Sequence, residues 1–349
     1  MSICFCIAKP LAASNTTGAA RLPRPTRDTH LLSYENDLLQ AGHMRSFKLK
    51  AEKSLDKVEK WVESHGYKGY EPFDGLSSVF SSLIFKNGFA ERLLQQMVRQ
   101  SPINLRPLLG IKAQDSTKGR AYMVRGYLSR YQQTSQEDYK RKAAECLDWL
   151  MQNKSPHYPE YTWGNHFDYA SRAFRLPKQE PTIVWTSLIG QSFLDAYELL
   201  KEVQYLEIAE SIVQWILRLP REKTSSGTCL SYVAFAQRSI HNANMLGAAM
   251  LARTAQYIQN DDALNLAREA MDYSCSSQLP NGAWYYGQES KYHWIDNFHT
   301  GYNLDSLKCY IENSGESSLM EHLKRGLAFF MDAFFEKNGR PNYYHDRGY

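Results

Sequence analysis

Cysteine is sparse in this chain, and no two cysteines are spaced to share a metal. Six cysteines in 349 residues, at Cys4, Cys6, Cys146, Cys229, Cys275 and Cys309, include no CxxC pair and no histidine at zinc-finger spacing. This excludes a structural zinc module and a disulfide framework, and a reducing compartment is the simpler setting. Excess charge is also missing: 41 Lys+Arg against 37 Asp+Glu leave +4, too weak a field to point at nucleic acid or an acidic membrane. Every helical candidate carries charges, so none approaches the roughly eighteen uninterrupted apolar residues of a membrane span. The start from Met1 to Ser14 has a short apolar run but no basic segment before it, and Lys9 breaks it, unlike a secretory signal. The expected location is cytoplasmic, with the periplasm as the alternative. No phosphate-cradling glycine loop, nucleophile elbow or dinucleotide fingerprint occurs, and no cofactor or metal is expected.

What is present is apolar material and aromatic surface. At 43% apolar and 22% charged, the chain has enough for a large core. Its 23 Tyr, 15 Phe and 7 Trp supply flat faces that suit both a core and an amphipathic ligand. Residues 1–45, rich in Ala, Thr, Arg and Pro, read as a loose extension, and 46–349 as one domain. From Phe47 the apolar spacing is helical: Ala51, Leu55, Val58 and Val62 make one stripe, and Ile208, Ile212, Trp215 and Leu219 another.

Two kinds of helix alternate. Amphipathic, charged segments at 47–64, 89–100, 135–153, 204–219, 261–277 and 318–335 would lie outside. Segments poorer in charge at 74–86, 117–132, 183–201, 241–258 and 297–311 would be buried on most sides. Gly126, Gly190, Gly247 and Gly301 mark the last four inner segments at intervals of 64, 57 and 54 residues. A helix pair repeated at that period, with inner members apolar nearly all round, predicts an all-α fold, an (α/α)6-type toroid with eleven of its twelve helices. The missing helix would be the last inner one, so the domain is expected to be C-terminally incomplete, with an unclosed edge open to a partner or to self-association.

In such a ring the long loops before the inner helices converge at one pole, where the positive ends of the helix dipoles also point. Those loops carry Phe73 and Asp74, then Trp163, Asn165, His166 and Asp168, then Trp185. Further on come His241, Asn242 and Asn244, then Trp284, Tyr285, Tyr286, His293, Trp294, Asp296, His299 and Tyr302, and finally Tyr343, Tyr344 and His345. Aromatic faces among amides and imidazoles fit a sugar-binding cleft, because rings stack on sugar C–H faces while polar groups take hydroxyls. The same tryptophans and tyrosines would also serve to seal the pole. Asp74 and Asp296 stand where an aspartate caps a helix. Asp296, His299 and Tyr302 share a helical face, as a proton-transfer set or as a core cluster. His293, Asp296 and His299 offer ligand types, but a carboxylate between two histidines is common without metal. The Gln278-to-Trp284 stretch has a Q-x-x-x-G-x-W form like the turn motif of triterpene cyclases, and as one copy it reads as a turn with a tryptophan wedge.

Several separated segments resemble the VpsJ-like polysaccharide-biosynthesis family. They are Ser101-Pro102-Ile103-Asn104-Leu105-Arg106-Pro107-Leu108-Leu109-Gly110-Ile111, Tyr161-Thr162-Trp163-Gly164-Asn165-His166-Phe167-Asp168, Ser171-Arg172-Ala173-Phe174, His241-Asn242-Ala243-Asn244 and the run from Trp294 to Tyr302. The resemblance runs from about residue 47 to the end and implies a six-hairpin toroid among genes for surface glycans. Members are often labelled delta-aminolevulinic acid dehydratases, a name this chain does not support: it lacks a cysteine-rich zinc segment, paired Schiff-base lysines and β/α alternation. The family's pattern continues past Tyr343-Tyr344 into a further helix. No established reaction comes with the resemblance.

The expected ligand is a polysaccharide or oligosaccharide. Hydrolysis would draw on Asp74, Asp168 and Asp296 as carboxylates. In lyase or epimerase chemistry, His241 or Asn242 would neutralise a uronate while His299 or Tyr302 moves the proton. Trp163, Asn165, His166, Trp185, Asn244, Trp284, Tyr286, His293, Trp294, Tyr343 and Tyr344 would bind substrate. The competing expectation is a glycan-binding or scaffolding protein without turnover; an apolar terpenoid cyclase site would want an aspartate-rich run that is missing.

Overall fold

A computed structural model describes residues 41–170 and 175–346. The loose extension as far as residue 40, Cys4, Cys6 and the 171–174 motif lie outside the described residues. The described chain falls into two compact units that divide between Gly69 and Tyr70. The first contains α1 (Ala41–Ser64), which includes the expected 47–64 helix and leaves Leu55, Val58 and Trp61 exposed. Its end is set by Gly66, at a left-handed φ of 56°, and by His65, which stacks on Trp61 at 4.2 Å.

The second unit is an all-α toroid of alternating inner and outer helices. After α2 (Gly88–Gln100), four inner helices, α3 (Thr117–Thr134), α5 (Ile183–Leu200), α7 (His241–Ala255) and α9 (Asn297–Ser314), alternate with outer ones. The outer helices are α4 (Glu137–Gln152), α6 (Val203–Leu217), α8 (Asp261–Ser276) and α10 (Met320–Phe334). Each inner helix packs on the outer helix that follows it and on the next inner helix. The first and last inner helices meet through the hydroxyls of Tyr122 and Tyr302, 2.9 Å apart.

The charge-poor sequences account for this placement: α7 is buried from His241 through Thr254. Two of the marker glycines are sites of close approach. A Cβ on Gly190 would lie 2.7 Å from the Met250 thioether, and one on Gly247 only 2.4 Å from Ile183 Cδ1.

The 74–86 segment departs from expectation. It forms two 3-10 turns, Asp74–Ser77 and Ser81–Ile84, so ten α-helices rather than eleven stand among the described residues. Its serines compete with the helix for backbone hydrogen bonds, as when Ser78 Oγ accepts from Phe80 N–H at 3.2 Å. Gly75 also lets α2 approach closely, since a Cβ there would sit 2.8 Å from Gln95 Cα.

Short strands build the loops before the inner helices. β1 (Tyr169–Ala170) pairs antiparallel with β2 (Arg175–Leu176) ahead of α5. Ahead of α7, β3 (Arg221–Thr224), β4 (Gly227–Val233) and β5 (Ala236–Ser239) form an antiparallel sheet, with Arg221 opposite Leu230 and Ser231 opposite Ser239. Cys146, Cys229, Cys275 and Cys309 are free thiols. No helix among the described residues is long and apolar enough to cross a membrane.

Candidate active site

The inner helices begin at one pole, and most begin with a side-chain cap. Ser116 Oγ accepts from Gly119 N–H at 3.3 Å, Thr182 Oγ1 from Trp185 N–H at 3.1 Å and Asp296 Oδ1 from His299 N–H at 2.9 Å. α7 lacks a side-chain cap, and His241 N–H donates instead to the Tyr286 carbonyl at 3.1 Å. That bond sets the start of α7 beside the loop that carries the aromatic residues.

Asp296 does more than cap. Its second oxygen accepts from His299 Nδ1–H at 2.6 Å and from the Trp294 indole N–H at 3.1 Å. Burial works to raise the Asp296 carboxyl, but the bonds from His299 and Trp294 outweigh it and hold the group below its ordinary range. The side chain is therefore ionised at neutral pH. An ionised carboxylate only accepts, so it fixes the proton of His299 on Nδ1 and leaves Nε2 as the acceptor. The His299 side chain is 24% exposed, and its Nε2 makes no hydrogen bond among the described residues.

Aromatic rings surround this imidazole. Tyr286 lies 4.5 Å from His299 and stacks on Trp294 at 4.5 Å, while Phe298 meets Tyr302 edge-on at 4.6 Å. Burial first, then the nearby Tyr232, Tyr169 and Asp296, push the Tyr286 hydroxyl well above its ordinary value, so it stays protonated. The segment after α10 also reaches this place. Tyr343 O accepts from Asn297 N–H at 2.9 Å, Tyr344 bridges to Asp296, and His345 Nδ1 lies 3.3 Å from Ile295 O.

Other expected residues have different work. Asp74 is buried and held by Arg106 Nε at 2.8 and 2.9 Å. Asp168 closes the β1–β2 hairpin, accepting from Arg175 at 2.8 Å and from Lys178 N–H at 2.7 Å. Trp163 and Trp284 offer no surface to a ligand: both are buried, and their indole N–H groups bond Leu150 O at 2.9 Å and Ser274 O at 2.8 Å. They pack as wedges between helices, with Trp163 stacked on Phe193 at 5.7 Å. Asn244 is likewise internal, joining Leu230 N–H at 2.8 Å and Ala270 O at 2.6 Å.

His241 corrects the expectation of a cation for a uronate. It is buried, 3.3 Å from Ser274 Oγ, and burial pushes its imidazole down to about 4, so it is neutral where a uronate is charged. Burial also lowers His166. His293 turns to stack on Tyr285 at 4.1 Å, with Nε2 3.1 Å from Gln288 O. Trp185 is half-buried beneath Lys118, 4.7 Å from its ring, and Asn165 is nearly buried, its carbonyl accepting from Gln179 N–H at 2.7 Å.

Tyr122, Tyr169, Tyr232 and Asn303 were not among the expected residues. Tyr122 had a signal: aligned by first residue, α3 and α9 place Tyr122 and Tyr302 at the same level. Tyr169 and Tyr232 sit on short strands whose place at the pole no local pattern records.

The sequence matches no protein-family model and no curated protein. Its fold has solved counterparts. The cellobiose 2-epimerase of Bacillus thermoamylovorans superposes with a TM-score of 0.52 at 7% identity, over 78% of this chain and 79% of that one. The cellobiose 2-epimerase of Spirochaeta thermophila gives a TM-score of 0.52 at 12% identity, over 66% of this chain and 62% of that one, so this chain spans less than two thirds of that enzyme. At such identities the likeness is one of fold, the α/α toroid.

Proposed function

We propose that the chain is a glycan-active enzyme that moves a proton on a sugar carbon at this pole, in the manner of an epimerase or an eliminating lyase. The observation that carries the reading is the Asp296–His299 pair at 2.6 Å, with Nε2 left as acceptor beside the Tyr286 and Trp294 stack. In that reading a C–H bond beside a carbonyl breaks. Its proton passes to Nε2, and the electron pair moves onto the carbonyl oxygen. Asp296 orients the ring and stabilises the imidazolium, and Tyr302 and Tyr122 supply hydroxyls nearby. Hydrolysis has less support, because Asp74 and Asp168 are each bound to an arginine and Asp296 to His299. The VpsJ-like resemblance and the sugar-epimerase names of two fold neighbours support a glycan as ligand and polysaccharide metabolism as the setting.

The test is solvent exchange. Oligosaccharides incubated with the protein in heavy water should take up deuterium at one carbon, read by NMR, and His299→Ala should slow uptake by about 10²- to 10⁴-fold. Unchanged uptake in His299→Ala, or bond cleavage without uptake, would remove His299 from the role. Aromatic stacking alone would instead fit a binding protein, which predicts affinity without exchange and tolerance of Asp296→Asn.

A further inference from the structure

Three tryptophans in the loops before the inner helices use their indole N–H in two ways. Trp163 and Trp284 are sealed in the core and donate to backbone carbonyls of outer helices, Leu150 O at 2.9 Å and Ser274 O at 2.8 Å. Trp294 is only half-buried, and its N–H goes to a charged side chain, Asp296 Oδ2 at 3.1 Å.

The accepting oxygen is the one that holds the imidazole. Asp296 Oδ1 takes the His299 backbone N–H at 2.9 Å, which seats the carboxylate as the cap of α9. Oδ2 takes the His299 Nδ1–H at 2.6 Å and the indole N–H together. The Asp296 side chain is 1% exposed, so its charge rests on these donors rather than on bulk solvent. Two of the three belong to His299 itself. Trp294 supplies the donor that stays in place when the histidine ring moves.

Packing fixes the indole independently of the dyad. Its ring stacks on Tyr286 at 4.5 Å and 15°, and Tyr292 meets it edge-on at 6.0 Å. Its backbone is held as well, its carbonyl accepting from Tyr286 N–H and its N–H donating to Tyr292 O, both at 2.9 Å. Tyr286 thereby covers one of the two ring faces that a sugar platform could offer.

The consequence for His299 has a definite sign. A second donor on Oδ2 draws off part of the carboxylate's charge. Without it the oxygen would pull harder on Nδ1–H and favour the imidazolium, in which Nε2 is no longer an acceptor. A base needs Nε2 unprotonated at its working pH. The other titratable or charged groups placed around the dyad are Tyr286 against the ring, Tyr302 on its own helix with Tyr122 of α3, Tyr169 and Tyr232 near Tyr286, His345 at the Ile295 carbonyl, and Arg238 of β5.

We infer that Trp294 is a positioning residue for His299: its N–H on Asp296 Oδ2 fixes the carboxylate and limits its pull on Nδ1, so that Nε2 stays an acceptor. The inference rests on the reading of His299 as the base. It gives Trp294 a place in the dyad rather than a contact with the sugar.

Two substitutions separate the N–H from the ring. Trp294→Phe keeps an aromatic ring against Tyr286 and removes the donor. Trp294 replaced by its benzothiophene analogue keeps the shape as well, and serves should phenylalanine loosen the loop. NMR of the full chain carrying isotope-labelled histidine reads the dyad without substrate. The neutral form of native His299 should carry its proton on Nδ1, and in both variants that proton should move downfield. In the deuterium-uptake assay the acid limb of the pH profile should move up by about 0.5–1 pH, so that uptake on that limb falls about three- to tenfold while KM stays within about twofold. A raised KM with an unmoved profile and an unmoved resonance would make Trp294 a sugar contact and overturn the inference. Variants indistinguishable from the native chain would overturn it too, and in both cases His299 stands as the base. Absence of uptake in the native chain would instead remove the base reading, and the resonance alone would then decide: a downfield move upholds the hold of Trp294 on the Asp296–His299 pair, and no move overturns it.

Discussion

The two ends of the inner helices hold polar residues of the same kinds under opposite rules. At the end away from the pole, Arg253 of α7 donates to Gln191 at 2.6 Å, to Asp195 at 2.7 Å and to Glu198 at 2.7 Å. Asp195 is also held by Arg125 at 2.8 Å, and Glu198 accepts from Tyr257 at 2.9 Å. The neighbouring carboxylates raise the Arg253 guanidinium despite its burial. Every member of that network finds its partner inside the protein, tying α3, α5 and α7 together. At the pole, by contrast, the partners run out: Nε2 of His299 and the oxygens of Asn242 and Asn303 have none among the described residues. Closed networks of this kind hold the helices in place, and open ones are where a ligand can add something.

This contrast predicts which substitutions act on stability and which on chemistry. Arg253→Ala removes the cation from part-buried Glu198, leaves Asp195 with Arg125, and should cost about 3–5 kcal/mol in denaturant unfolding. It would break the comparison by costing no more than a surface change. His241 should give the next largest effect, through pH. Its folded value of about 4 lies below the ordinary 6.5, so the unfolded chain binds the extra proton between them. The stabilisation is complete above about pH 6.5 and is lost as pH falls toward 4, amounting to about 3 kcal/mol. Unfolding midpoints from pH 7 to 4 should therefore fall more steeply for the native chain than for His241→Gln; parallel slopes would count against a buried neutral imidazole.

Gly190→Ala, which drives a Cβ into Met250, should cost about 1–3 kcal/mol by the same measurement, sharpening the packing side. The smallest stability change should come from His299→Ala, about 1–2 kcal/mol: the buried Asp296 loses its shortest hydrogen bond but keeps the His299 backbone N–H and the Trp294 indole. A loss there as large as that of Arg253→Ala would erase the distinction between the two ends.

Much of the fold was legible because helix periodicity is local. The stripe through Ile208, Ile212 and Trp215 is buried in α6 as its spacing requires. The charge-poor α5 and α7 lie inside, and Gly190 and Gly247 mark close approaches. The 74–86 segment misled for an equally local reason: its apolar residues suggested an inner helix while its serines favoured turns. The Asp296, His299 and Tyr302 face was visible at i, i+3 and i+6, but spacing could not tell Trp163 and Trp284, sealed in the core, from Trp294 beside the histidine.

The sequence by itself determined that this chain is helical, which faces of its helices are apolar, and that aromatic and polar residues collect in the loops before the inner helices. Those properties depend on neighbours within a turn or two. Only the tertiary structure decided which of two nearby asparagines is bonded and which is not, that His241 is neutral while Asp296 is charged, and that Tyr122 meets Tyr302. Each of these depends on burial and on partners brought from other helices, and hydrogen bonding and desolvation are set by the groups a side chain meets in space.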